Sequence, residues 1–349
     1  MSTALRRDDR ARSLAPGGWR LCGLLSALYF AQGLPSGLIA KALPPLLREH
    51  GVSLAAIGFT SALALPWALK FIWAPFVDRY GSRKRWLIAL NLANFGLMLV
   101  VASRDFAAWV DVLPSLLSLL FEVNLVSATQ DIATDGYAVS HLPAEWRGLG
   151  NSIQVVGYKL GMVVGSGALL WLTARYGWHT SYGGLACLML LVIVPVLFMH
   201  ESPTGARHEA THTHWHGVGG YVRLFREFVV RPRMGWWLLT VVLYKFGDSL
   251  GSRMTGPLLT DSGFSLPVIG VITGSAAATT GILGAFVGGA ALLRMSHARA
   301  LFIFGVLQAL GLAGYVLIAN GLRDVYWLAG IVNFEQLADG LSRSRCSRS

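Results

Sequence analysis

"PLLREHGVSLAAIG", residues 45–58, aligns without a gap on "PLLTDSGFSLPVIG", residues 257–270, with eight of fourteen positions identical at an offset of 212. Upstream, Leu28 and Tyr29 match Leu243 and Tyr244; downstream, Phe121 and Glu122 match Phe334 and Glu335 at an offset of 213. Chance likeness between apolar segments does not account for shared Pro, Gly and Ser positions. The chain therefore contains a parallel duplication, and a period this long marks two copies of a whole bundle rather than a solenoid unit.

What each copy contains follows from hydropathy. Apolar stretches long enough to cross a bilayer lie near 21–41, 53–77, 86–103, 109–139, 150–173, 181–199, 236–258, 267–291, 299–319 and 325–341. Numbered first to tenth, they place six spans before the polar segment at 200–235 and four after it. Hydrophobic residues make up 54% of the 349 and charged ones only 13%, with a mean hydropathy of +0.53, which excludes an ordinary soluble domain. The expected fold is an all-α polytopic membrane protein made of two six-helix parallel repeats, shortened here to about ten transmembrane helices. Substrate sites in such repeats lie near mid-membrane, between the halves.

The net charge of +11 falls between the apolar stretches and forms no basic stripe, so nucleic acid is not an expected partner. It reads as topology. Twenty Lys and Arg lie in the N-terminal segment, the even-to-odd loops and the C-terminal tail, against five in the opposite loops, which puts both termini in the cytoplasm. The expected organisation is a basic cytoplasmic tail (1–20), a six-helix half (21–199), a His- and Arg-rich cytoplasmic loop (200–235), four helices of a second half (236–341) and a basic tail (342–349). The arginines before the first span resemble a signal peptide, but that span is long and no small-residue cleavage site follows it. Cys22, Cys187 and Cys346 are far apart and fit no disulfide framework or zinc spacing.

Charges inside spans cost roughly 2.5–3.5 kcal/mol each at a bilayer centre, so each needs a reason. "SATQDIATDG" (127–136) puts Asp131 and Asp135 on one helical face of the fourth span, with Gln130 beside them. Two readings stand: a cavity-facing pair that binds a polar solute or carries protons, or carboxylates at a helix end that form a cytoplasmic gate. Lys159 on the fifth span is the expected cationic partner; the other reading for each intramembrane lysine is that it reaches to an interface, most readily Lys70, eight residues before Asp78. Lys245 and Asp248 are three apart on the seventh span and can pair locally. Glu122 and Glu335, equivalent in the two copies, are expected deeper and are better proton-carrier candidates than the aspartates; the other reading is structural hydrogen bonding to a neighbouring helix. The Gly157, Gly161, Gly165 ladder is a helix-packing surface.

"DRYGSRKR" (78–85) joins the second and third spans through a Gly turn with an acid before it and bases after it. Asp78, Arg79, Gly81, Arg83 and Arg85, with Arg147 in the next cytoplasmic loop, are expected to form a gate between helix ends. In the central loop His212, His214 and His216 are spaced closely enough for a transition metal, but no thiol or carboxylate completes a site, so no metal or other cofactor is expected. Neither a phosphate-binding GxxxxGK[ST] loop nor a hydrolase triad is present, which argues against ATP-driven transport within the chain and against an enzyme.

Six stretches together carry a family resemblance: "LYFAQGLPSGL" (28–38), "LPWALKFIWAPFVDRYGSRKRW" (65–86), "SATQDIATDGYAV" (127–139), "LPAEWRGLGNSIQVVGYKLGMVVGSG" (142–167), "LYKFGDSL" (243–250) and "NFEQLADGL" (333–341). The chain resembles the AmpG-like permeases of the major facilitator superfamily, a group of muropeptide, acetyl-coenzyme A and siderophore permeases, and the wording lies nearer the siderophore branch. The resemblance implies twelve spans and import across a bacterial inner membrane driven by the proton motive force. The implied partners are a small-molecule solute, protons and the lipid bilayer. The motif residues it implies here are Gln130, Asp131, Asp135, Arg147, Tyr158, Lys159, Lys245, Asp248 and Glu335, and Gln32 in the first stretch joins the solute-pathway candidates. Family members continue through further helices where this chain ends "SRSRCSRS" (342–349). Two readings of that end are a truncated or frame-shifted product and a natural short chain; a truncated product would also allow a non-transporting remnant or a regulatory membrane protein.

Overall fold

The computed structural model describes residues 18–142, 146–199, 234–236, 254–291, 295 and 297–343. These residues are helical, with no strand among them. Eight helices among them are long and apolar enough to cross a membrane: Gly18–Glu49, Leu54–Ile72, Arg83–Ala102, Leu113–His141, Gly150–Tyr176, Trp178–Leu197, Leu266–Gly284 and Phe302–Ala319. They match the first to sixth, eighth and ninth expected spans, and helix Val325–Arg343 occupies the place of the tenth. Most of the seventh span, and with it Lys245 and Asp248, lies outside the described residues, as do His212, His214 and His216.

The duplication read from the sequence reappears as backbone geometry. Gly51 and Gly263, 212 residues apart, both take the left-handed conformation that lets a helix stop without a Cβ clash, at φ +77° and +86°. Each closes the same pair of hydrogen bonds. Gly51 and Val52 donate to Arg48 O and Leu47 O, both at 3.0 Å, and Gly263 and Phe264 donate to Thr260 O and Leu259 O at 3.0 and 3.1 Å. Ser53 then caps the second span by accepting from Ala56 N at 3.2 Å.

The first six spans enclose two apolar clusters. One contains Leu34, Leu38, Met98, Leu116, Leu120, Trp178 and Tyr182; the other contains Leu25, Leu28, Val77, Leu87, Ile132 and Val196. Along the first, third and fourth spans the residues between them are polar and buried: Gln32, then Asn91 and Asn94, then Asn124, Ser127, Gln130 and Asp131. A bilayer offers these groups no water, so most of them bond to side chains or main-chain carbonyls within the bundle. Asn94 Nδ2 donates to Ser127 Oγ at 3.2 Å, Gln32 Nε2 to Thr134 Oγ1 at 2.9 Å, and Asn124 Nδ2 to Leu63 O at 2.6 Å. The bundle is thus layered, apolar at both ends and polar in between.

Glycines set the closest helix contacts. A Cβ on Gly33 would lie 2.8 Å from Gly161 Cα, and one on Gly161 would lie 2.9 Å from Gly33 Cα, so the first and fifth spans meet backbone to backbone. The expected packing ladder at 157, 161 and 165 therefore serves the first span. The fifth span continues into the later helices in the same manner: a Cβ on Gly274 of the eighth span would lie 2.7 Å from Gly167 Cα. The first, fifth and eighth spans each widen by one π-helical turn, at Leu38–Ala42, Val164–Ala168 and Val271–Ala276, where they approach one another.

Candidate functional site

The fourth span runs unbroken from Leu113 to His141, so the aspartates sit within the helix and not beyond its end. Asp131 is buried and Asp135 half-buried on the same face. The second span beside them is irregular. Pro66 and Pro75 begin short α-turns, a 3-10 turn at Thr60–Ala64 precedes the first, and another at Lys70–Ile72 separates the two. That break aims Lys70 inward.

Lys70 Nζ bonds directly to Asp131 Oδ2 and lies 4.0 Å from Asp135 Oδ2, while its ammonium sits 5.7 Å from the centre of the Trp67 ring. Tyr29 OH of the first span donates to Asp135 Oδ1 at 2.9 Å, and Gln154 Nε2 of the fifth approaches the same oxygen at 3.4 Å. The cluster thus draws one cation, two acids and two neutral donors from four spans. Lys70 neutralises one of the two negative charges, and neutral donors share the other. Such a site holds a proton or a cationic group at modest cost, because gaining one positive charge brings it to neutrality.

Several expected site residues stand elsewhere. The cation beside the aspartates is Lys70 and not Lys159. Lys159 Nζ instead points across to the later helices, within 2.8 Å of where a Cβ on Gly281 would be and beside Gln336. Glu122 does not share the depth of Glu335. It is exposed in a shallow groove with Ser115, Ser118 and Trp109, whereas Glu335 is 4% exposed, seated over Gly311, and accepts from Gln336 Nε2 at 2.7 Å. Gln32 and Gln130 are buried in the polar layer, and Gln32 Oε1 and Gln130 Nε2 make no hydrogen bond among the described residues, which leaves capacity for a polar guest. Tyr158 lies half-buried with its ring centre 6.3 Å from that of Trp67.

The loop between the second and third spans closes on the fourth. Gly81 turns it at φ +80° and Ser82 Oγ caps the third span by accepting from Arg85 N at 3.3 Å. Arg83 lies 3.8 Å from Asp78 and donates to Gly136 O and Ser140 Oγ near the end of the fourth span. Arg79 and Arg85 are exposed, and the side chain of Arg147 lies outside the described residues. Sequence reasoning missed the role of Lys84. Its Nζ donates to Leu197 O at 2.6 Å and Met199 O at 3.0 Å, satisfying carbonyls at the end of the sixth span. Among the described residues no group of three His, Cys, Asp or Glu is placed to hold a metal.

A helical bundle with a polar layer and a charge cluster inside its membrane-spanning helices defines a polytopic solute transporter. The Major Facilitator Superfamily model matches residues 25–340, and the chain belongs to that family. It is 33% identical over 328 residues to the anhydromuropeptide permease of Escherichia coli K12, a match that covers 92% of this chain and 65% of the permease, so the chain spans just under two thirds of that relative's length. A Rickettsia conorii protein that carries the name transporter AmpG 4 is 25% identical over 295 residues, covering 81% of this chain and 70% of that protein. Among solved structures, a D-xylose-proton symporter superposes with a TM-score of 0.65 at 14% identity, covering 92% of this chain and 80% of that one, a likeness of fold alone.

Proposed function

We propose that the protein is a secondary permease of the bacterial inner membrane that imports a muropeptide-type solute by alternating access, coupled to protons. Residues 21–199 and 236–341 are the two bodies that move, and both termini face the cytoplasm. The observation that carries the reading is the intramembrane cluster of Lys70, half-buried Asp135 and buried Asp131, whose one cation and two acids have the charge balance of a proton site. The 33% identity to an anhydromuropeptide permease favours that solute over the ferric siderophore suggested by local wording. A sugar-peptide also suits a layer rich in amide and hydroxyl groups, which recognises polar solutes by multiple hydrogen bonds.

The test is uptake of radiolabelled anhydromuropeptide by cells lacking their own permease. Accumulation that collapses with an uncoupler supports the reading, and accumulation of a siderophore but not a muropeptide would overturn the solute. Uptake of no solute by a chain that folds and inserts would favour the remnant reading.

A further inference from the structure

We propose that Arg48 and Asp261 form a latch that holds the non-cytoplasmic end of the transporter shut while the site is open to the cytoplasm. The inference rests on the alternating-access reading, and on contacts at one end of the molecule that the solute site does not use. Arg48 Nε donates to Asp261 Oδ1 at 2.6 Å, joining the end of the first span to the end of the seventh across 213 residues of sequence. Arg48 Nη1 also donates to Val52 O at 3.2 Å, so the guanidinium is fixed by its own turn before it reaches across.

The helices are in close contact behind this pair, Gly256 against the Pro45 ring and Gly270 and Gly274 against the main chain of Gly167. A Cβ on Gly256 would lie 2.9 Å from Pro45 Cδ, one on Gly270 would lie 3.3 Å from Gly167 Cα and one on Gly274 2.7 Å from it. Ser166, beside Gly167, is buried at 3% exposure with its Oγ against the eighth span. No solute passes a seam of this kind unless the two sides separate.

The repeat gives this pair no two-fold mate. "PLLREHG" and "PLLTDSG" place an acid at the same step, Glu49 and Asp261, but only the first copy has a cation before it, because Arg48 is matched by Thr260. A two-fold mate of the pair is therefore missing, and one substitution removes the whole interaction. Both side chains are partly exposed, at 27% and 42%. Such a pair biases a conformational equilibrium by only about two- to fivefold, weak enough to open in every cycle.

The experiment uses Ser166→Cys in a chain with Cys22, Cys187 and Cys346 changed to Ser, labelled with a membrane-impermeant maleimide from the non-cytoplasmic side. Arg48→Asp and Asp261→Arg are each expected to raise the labelling rate about two- to fivefold or more. The double variant Arg48→Asp/Asp261→Arg restores the parent rate. Size-exclusion profiles in detergent confirm that each variant folds, and Arg48→Gln and Asp261→Asn replace any that does not. Single variants that label at the parent rate, or a double variant that labels as fast as the singles, would overturn the latch. Labelling needs no solute, so a chain that shows this pattern yet takes up no muropeptide refutes the proposed solute and leaves the latch intact.

Discussion

Lys70 of the second span bonds to Asp131 and stands 4.0 Å from Asp135, so one cation answers two acids of the fourth span. Removing the cation leaves Asp131 buried and uncompensated. Lys70→Met is therefore expected to abolish uptake and to destabilise the protein by about 3 kcal/mol. Lys70→Met/Asp131→Asn, which removes both charges, recovers most of the stability and none of the transport. Thermal unfolding in detergent, read beside uptake, separates the two effects.

The Gly33 and Gly161 contact leaves no room for a side chain on either helix. Gly161→Ala meets backbone, which cannot move aside as a flexible side chain would, and is expected to cost about 1–3 kcal/mol. Gly23→Ala and Gly96→Ala, where nothing lies within 4 Å, are expected to be neutral or slightly stabilising. Melting temperatures of the three variants in one detergent make the comparison.

In the loop after the second span, Arg83 and Lys84 are bonded to helix ends while Arg85 is exposed. Charged hydrogen bonds of this kind contribute about 1.5–3 kcal/mol. Arg83→Ala is expected to lower uptake by tenfold or more, in line with about 1.4 kcal/mol per factor of ten, while Arg85→Ala leaves it unchanged. Initial uptake rates at matched membrane expression decide between them.

Glu335 is buried against Gly311, whereas Glu122 is exposed. Glu335→Gln is expected to impair solute-driven proton uptake and Glu122→Gln to leave it intact, as read from medium alkalinisation on adding solute to de-energised cells.

Much of the fold was legible because a bilayer imposes length and hydropathy on every span, and because the duplicated turn needs Gly at 51 and 263 for its left-handed backbone. The acids of the fourth span were legible for the same reason: charge in an apolar run stands out. Their cation was not. Lys70 sits eight residues before Asp78, which suggests an interface lysine on an ideal helix, but the turns around Pro66 and Pro75 break that helix and redirect the side chain. Glu122 misled for another reason. Equivalence in a repeat fixes a position along a helix and not the neighbour that covers it. Glu335 rests on Gly311, and at the same offset the first copy has the large side chain of Met98.

Where Gly167 meets Gly270 and Gly274, the facing surfaces are main-chain atoms. Interlocked side chains would have to change rotamer, one after another, before either helix could turn. A smooth ridge lets one helix roll on the other with little resistance, as a bearing does. The same residues that bring the two sides close therefore also make it easy for them to part.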